Sequence, residues 1–176
     1  VRSRSGGHPD FSIALKPANV ERQPMPFADG SFDLVLAMEI FEHFALNPLY
    51  FLREAFRVLE PGGRLILTTP NVVSHRGVRK ALEGLAPYSF GPFIPTGGVY
   101  GRHNREFTPR EVSSLAEAAG FVTHKLLTAD VYDDAIDEET ARLLIGGGDD
   151  FSLRGENILY VGRKERRQAA GTVLPA

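Results

Sequence analysis

The sequence predicts an α/β domain built on a mostly parallel sheet, and three observations predict it. Phe32 to Ala37 (Phe-Asp-Leu-Val-Leu-Ala) and Arg64 to Thr69 (Arg-Leu-Ile-Leu-Thr-Thr) are short apolar runs of the kind found in strands buried on both faces. Between them Phe51, Leu52, Ala55, Phe56 and Leu59 recur at helical spacing and form one apolar stripe. Pro61-Gly62-Gly63 then stops the helix just before the second strand. Strand, helix, strand in this order is a βαβ unit, whose crossover should be right-handed.

The remaining elements follow in chain order. Phe11 to Leu15 reads as a short strand, and Asn19 to Phe27, punctuated by Pro24 and Pro26, as a loop. Asp29-Gly30 is a turn signal ahead of Phe32. Asn47-Pro48 supplies an N-cap and a proline at the first helical position. Residues 71 to 107 look irregular apart from a short helix around Val78 to Leu85. A stretch this long, rich in Gly and Pro, usually forms a lid or binding loop. Thr108-Pro109-Arg110-Glu111 is a capping box, opening a helix to about Ala119, with Gly120 suited to the position after its end. Phe121 to Leu127 and Asn157 to Gly162 read as the last two strands, with an acidic segment and a short helix to about Ile145 between them. The expected organisation is one domain over residues 1–163 and a flexible tail over 164–176.

Composition sets outer bounds. The 176 residues suffice for one domain with a proper core, and 43% hydrophobic with 24% charged is ordinary for a globular protein. A net charge of −2 argues against general nucleic-acid binding. With no cysteine, disulfides and thiolate metal sites are excluded, and the cytoplasm is the expected compartment. No apolar run reaches a membrane span, and Val1 to Gly7 carries no apolar core of a signal peptide.

In open α/β sheets ligands sit beyond the carboxyl ends of the strands, here Asn19 to Glu21, Met38 to His43, and Pro70-Asn71. Glu39, Glu42 and His43 are spaced i, i+3, i+4 and share one face of a helical turn. Two readings of Glu42-His43 stay open: a metal-ligand pair, or a pair that orients one another with His43 as general base or capping residue. Gly101 to Thr108 (Gly-Arg-His-Asn-Arg-Glu-Phe-Thr) is dense in polar side chains just before a helix. Arg102 and Arg105 are candidates to grip phosphate or carboxylate groups, against the plainer reading of a solvated loop.

One series of motifs is specific in combination. It comprises Pro26-Phe27-Ala28-Asp29-Gly30-Ser31-Phe32-Asp33-Leu34-Val35, Glu39-Ile40-Phe41-Glu42-His43, Arg53-Glu54-Ala55-Phe56-Arg57-Val58-Leu59-Glu60-Pro61-Gly62-Gly63, and Thr69-Pro70-Asn71. It resembles the fourth strand, following helix and fifth strand of class I S-adenosylmethionine-dependent methyltransferases (type 11/12-like). The likeness extends over roughly residues 11 to 163, and it implies a Rossmann-like, mostly parallel sheet with an antiparallel last strand. The family's glycine-rich cofactor loop has no room before Phe11, so an N-terminally truncated domain is expected, with Phe32 to Ala37 left as a sheet edge.

The resemblance also implies site residues. Asn19 and Val20 would lie near the adenine of S-adenosylmethionine, and Met38 and Glu39 near its methionine end. His43, Glu42 and His103 would be the catalytic groups, and Asn71, Arg102, Asn104 and Arg105 would face the acceptor. Glu-x-x-Glu-His followed later by His103 is similar to a subset of these enzymes, the small-RNA 2′-O-methyltransferases and ubiquinone-pathway O-methyltransferases. There two Glu and two His hold a divalent metal; the matching residues are Glu39, Glu42, His43 and His103, and Mg²⁺ is the expected ion. The loop pattern looks like bacterial methyltransferases of glycans, implying O-methylation of a small-molecule or glycan acceptor. The alternative is a non-catalytic fragment or interaction module. A nicotinamide oxidoreductase fits poorly, since Gly-x-Gly-x-x-Gly and a Tyr-x-x-x-Lys pair are missing.

Overall fold

The computed structural model describes residues 14–89, 98–131 and 135–165. Among these residues four strands form one sheet: β1 (Phe32–Met38), β2 (Leu59–Pro70), β3 (Val122–Ala129) and β4 (Asn157–Arg163). Its order is β1-β2-β4-β3. β1 and β2 are parallel, and β4 lies antiparallel between β2 and β3, so three strands point one way and the last points back. Among the described residues four α-helices join them: α1 (Pro48–Val58), α2 (His75–Leu82), α3 (Pro109–Ala118) and α4 (Glu138–Gly146). None is long and apolar enough to cross a membrane.

Local sequence chemistry explains most boundaries. The Asn47 side chain accepts the Leu49 amide and Pro48 opens α1. The capping box of α3 forms in both directions, with Glu111 N donating to Thr108 Oγ1 and Thr108 N to Glu111 Oε2. After α3, Gly120 takes φ +106, a left-handed conformation open mainly to glycine. α2 starts earlier than expected, because Ser74 caps it by accepting the Gly77 amide. β2 also starts early and runs through Pro61-Gly62-Gly63, which the sequence reads only as a helix stop. The reason is tertiary: Gly62 N donates to Lys164 O and Lys164 N to Gly63 O, extending the β2–β4 pairing. Lys164 is thereby tied to α1 and β2, and of the tail expected over 164–176 residues 166–176 lie outside the described residues. The expected strand Phe11 to Leu15 falls mostly outside them too, and its last two residues, Ala14 and Leu15, have no regular structure.

The sheet has one covered and one bare face. Ala37, Leu65, Leu67, Ile158 and Tyr160 point toward α1 and α3 and bury against Phe51, Leu52, Ala55, Val112 and Ala116. The alternate row runs Leu36, Ile66, Val161 across the first three strands, with Met38, Thr68, Leu159 and Leu127 beside it. Leu36 stays 59% exposed and Met38 51%. β1 is also an edge, as the sequence implies: among the described residues no strand pairs with its outer side.

Candidate functional site

The carboxyl ends of β1 and β2 carry the only cluster among the described residues with metal-ligand donor geometry, Glu42, His43 and His103. Its construction starts at Glu39. This residue takes φ +50, an uncommon and strained conformation for a non-glycine residue. It is held there because Glu39 N donates to Thr68 O at 3.1 Å. The kink turns the chain off β1 into a single 3₁₀ turn, Phe41–His43. Phe41 is fully buried and stacks on Phe107 (centroids 4.7 Å apart) and on Phe44, which pins the turn.

Glu42 is thereby aimed inward at the end of β2. It is 1% exposed, and Oε2 accepts from Thr69 Oγ1 at 2.9 Å. Burial pushes its carboxyl above its ordinary value; the neighbouring Glu39 charge adds to this, while the Thr69 bond and His103 oppose it. The segment 102–107 lies across the turn. Asn104 N donates to Glu42 O at 2.8 Å, and Asn104 Nδ2 donates to the carbonyls of His43 and Val99. His43 Nδ1 meets Arg102 O at 3.0 Å. His43 Nε2 and His103 Nε2 stand 3.7 and 3.9 Å from the same Glu42 Oε1. The two rings meet edge to face, 5.0 Å apart.

The sequence candidates therefore divide. Glu42, His43 and His103 come together, their donor atoms all within 4.8 Å of one another. Glu39 does not join them: its Oε1 accepts from Asn157 Nδ2 at 3.1 Å, because the positive-φ kink turns it toward β4. Asn71, expected to face the acceptor, is held within the fold. It is 1% exposed, its amide donates to Leu153 O and Gly155 O, and its Oδ1 accepts from Val73 N. Asn104 is likewise engaged by backbone carbonyls and acts by holding the 3₁₀ turn. The Arg105 guanidinium pairs with Glu111 of α3 and lies over the Phe107 ring, while its backbone amide donates to Glu42 O. Arg102 is half-buried; its Nε donates to Asn104 Oδ1 while its carbonyl holds His43. Met38 lies exposed on the bare sheet face.

A groove of about 650 Å³ adjoins the cluster, and His43 and Asn19 both line it. Val20, Ile40, Phe44 and Tyr100 give it mostly apolar walls. Asn19 forms an Asx turn to Glu21 N and donates to Tyr100 Oη, linking the two banks. Sequence reasoning missed Glu21, a buried carboxylate that accepts the amides of Ala45, Leu46 and Asn47 and fixes the approach to α1. It also missed Glu106, behind His103. Neither carries a local signal, since their partners lie in other segments or need the fold to meet them.

Residues 2–67 match the family model described as a methyltransferase domain. A probable S-adenosylmethionine-dependent methyltransferase of Mycolicibacterium smegmatis is 30% identical over 109 residues, covering 62% of this chain and 35% of that protein. The ubiquinone biosynthesis O-methyltransferase of Caulobacter sp. is 44% identical over 61 residues, covering 35% of this chain and 23% of its own length. The chloroplastic tocopherol O-methyltransferase of Arabidopsis thaliana is 43% identical over 63 residues, 36% of this chain and 17% of that one. The chain thus spans about a third of the Mycolicibacterium relative and less of the other two. A crystal structure of a SAM-dependent methyltransferase from Thermotoga maritima superposes with a TM-score of 0.53 at 22% identity, covering 80% of this chain and 60% of that one; at that identity it bears on the fold alone.

Proposed function

For a chain that carries part of a class I S-adenosylmethionine-dependent methyltransferase domain, we propose a role as the acceptor side of an enzyme that methylates an oxygen of a small-molecule or glycan acceptor. The observation that carries this reading is the convergence of Glu42, His43 and His103 at the carboxyl ends of β1 and β2. S-adenosylmethionine, when bound, supplies an electrophilic methyl group on a sulfonium. The protein's tasks are then to align the acceptor and remove its proton.

His43 is the better-placed base of the two imidazoles, since it lines the groove and its Nε2 faces Glu42. It would take the hydroxyl proton, and the Glu42 carboxylate would stabilise the resulting imidazolium. The groove suits an adenosine: it pairs apolar walls at Val20, Ile40 and Phe44 with the Asn19 turn. Met38 and Glu39, next along β1, are the proposed neighbours of the methionine end. Such an enzyme would work in the cytoplasm on a diffusible acceptor rather than on nucleic acid.

A second reading concerns a divalent cation such as Mg²⁺, and the donor set favours it in part. Glu42, His43 and His103 would hold the ion, which would lower the acceptor hydroxyl pKa and orient it. Glu39 stands off on Asn157, so three protein ligands rather than four are proposed.

Calorimetric titration with S-adenosylmethionine and its demethylated product, with and without Mg²⁺, tests both readings. Micromolar binding, followed by methyl transfer to a panel of phenols and sugars, supports the enzyme. A folded chain that binds neither compound points to a non-catalytic fragment or interaction module. Binding that is insensitive to Mg²⁺, with transfer unaffected by chelators, removes the metal.

A further inference from the structure

We infer that Glu21 is a positioning residue: it clamps the apolar groove by tying one wall, the turn at 19–23, to the backbone that leaves the turn carrying Glu42 and His43. The consequence for cofactor affinity rests on the groove assignment proposed above; the clamp itself does not.

The walls of the groove belong to separate stretches of chain. Asn19, Val20 and Gln23 line one side, and Ile40, His43 and Phe44 the other. Within the first wall the chain holds only itself: Arg22 N and Gln23 N donate to Asn19 O at 3.0 Å, and Glu21 N donates to Asn19 Oδ1 at 3.1 Å. The Glu21 side chain joins this wall to the second. Its Oε2 accepts from Ala45 N, and its Oε1 from Leu46 N and Asn47 N, each at 2.9 Å. Among the described residues, the other hydrogen bond from 14–24 to a distant segment is the exposed contact of Asn19 with Tyr100 at 3.2 Å.

The partners explain why a carboxyl group serves here. Ala45, Leu46 and Asn47 lie ahead of the first turn of α1, where amides have no helical carbonyl to meet. Three successive amides aimed at one point form an anion-accepting concavity. Glu21, only 6% exposed, fills it from within the chain, so the concavity is a joint between two walls. The joint begins two residues after His43 and fixes the exit of the 3₁₀ turn, while Asn104 N on Glu42 O holds its other side. A Gln in place of Glu21 offers one oxygen and an NH₂. Whichever way it sits, at least one of the three amides then faces a donor.

Amide hydrogen exchange of the full chain tests the clamp without any ligand. Ala45, Leu46 and Asn47 are exposed residues, so their amides should be protected in the wild type through Glu21 alone. In Glu21→Gln they should exchange about 10-fold faster or more, and Arg22 and Gln23 with them, while α3 stays unchanged. Calorimetry with S-adenosylmethionine and its demethylated product should show affinity lower by about 10-fold or more in E21Q. Arg57→Ala is the control, since it loosens Met25 and Phe27 without touching the groove wall, and it should keep its affinity. Unprotected amides at 45–47 in the wild type overturn the inference, and this measurement decides even if E21Q fails to fold. Faster exchange at 45–47 with 22 and 23 as protected as before overturns it too, because the wall would then stand without the clamp. An equal loss of affinity in E21Q and R57A would reduce Glu21 to a stability role and overturn it as well. The expected exchange pattern in a chain that binds neither compound would leave the clamp standing and overturn the groove assignment alone.

Discussion

The two ends of the β1–β2 pair handle charge in opposite ways. At the amino end, Arg57 donates to Glu54, to Asp29 and to the carbonyls of Met25 and Phe27, tying α1 to the loop before β1. Lys164 beside it donates to the carbonyls of Phe56 and Leu59 as α1 ends, with its ammonium over the Phe56 ring. There each cation meets several acceptors. At the carboxyl end Glu42 is buried deeper, with two imidazoles nearby but beyond hydrogen-bond distance. The carboxyls respond accordingly: the Arg57 hydrogen bond holds Glu54 below its ordinary value, whereas burial raises Glu42. Saturated charge holds a fold together; a buried, under-compensated carboxyl marks a place where chemistry is prepared.

The contrast breaks most visibly through Glu42→Gln. Gln can still accept from Thr69 but cannot stabilise an imidazolium as a carboxylate does. Methyl transfer should fall by about 100-fold or more, while urea denaturation should show no loss of stability. A variant as active as the wild type would remove Glu42 from the site.

Arg57→Ala should give the reverse pattern, a stability loss of roughly 2–3 kcal/mol with cofactor affinity little changed. Most of that loss comes from the partly buried Glu54 left without its partner; the exposed Asp29 contributes little. Denaturation midpoints check the size.

The pH dependence sharpens the comparison further, because the two carboxyls carry opposite signs. Glu54 has a lowered folded-state pKa, so its stabilisation is present above 4.5 and is lost as pH falls through the folded value below that. Glu42 has a raised one, so its cost is absent below 4.5 and grows as pH rises through the folded value above it. At neutral pH, Glu54→Gln should be less stable than wild type and Glu42→Gln more stable. Both gaps should close on acidification. Gaps of the same sign would contradict the assignment.

The smallest effect belongs to the bare sheet face. Leu36→Glu should change the stability of this chain by no more than about 0.5 kcal/mol, since the side chain is already mostly in water. Val35 or Ala37, one residue away on the covered side, would not tolerate the same change. A large loss in Leu36→Glu would mean that this face is covered in solution.

What the sequence determined by itself was local. The βαβ order, the Asn47-Pro48 start of α1, the capping box at Thr108 and the left-handed Gly120 follow from residues within a few positions of one another. Glu42, His43 and His103 were legible because their residue types are those of proton transfer and metal binding, and because the surrounding motif series is specific. Tertiary structure alone decided the rest. Lys164 drew Pro61-Gly62-Gly63 into β2, and the kink at Glu39 sent that carboxylate to Asn157 rather than to the cluster. Asn71 was consumed by the carbonyls of 153 and 155, and the buried Glu106 closed on Ser89 as well as on His103. Propensity and periodicity act over a turn of helix or a few residues of strand. Which buried polar atom finds which partner is settled only when distant segments meet, because an unpaired one costs too much to leave.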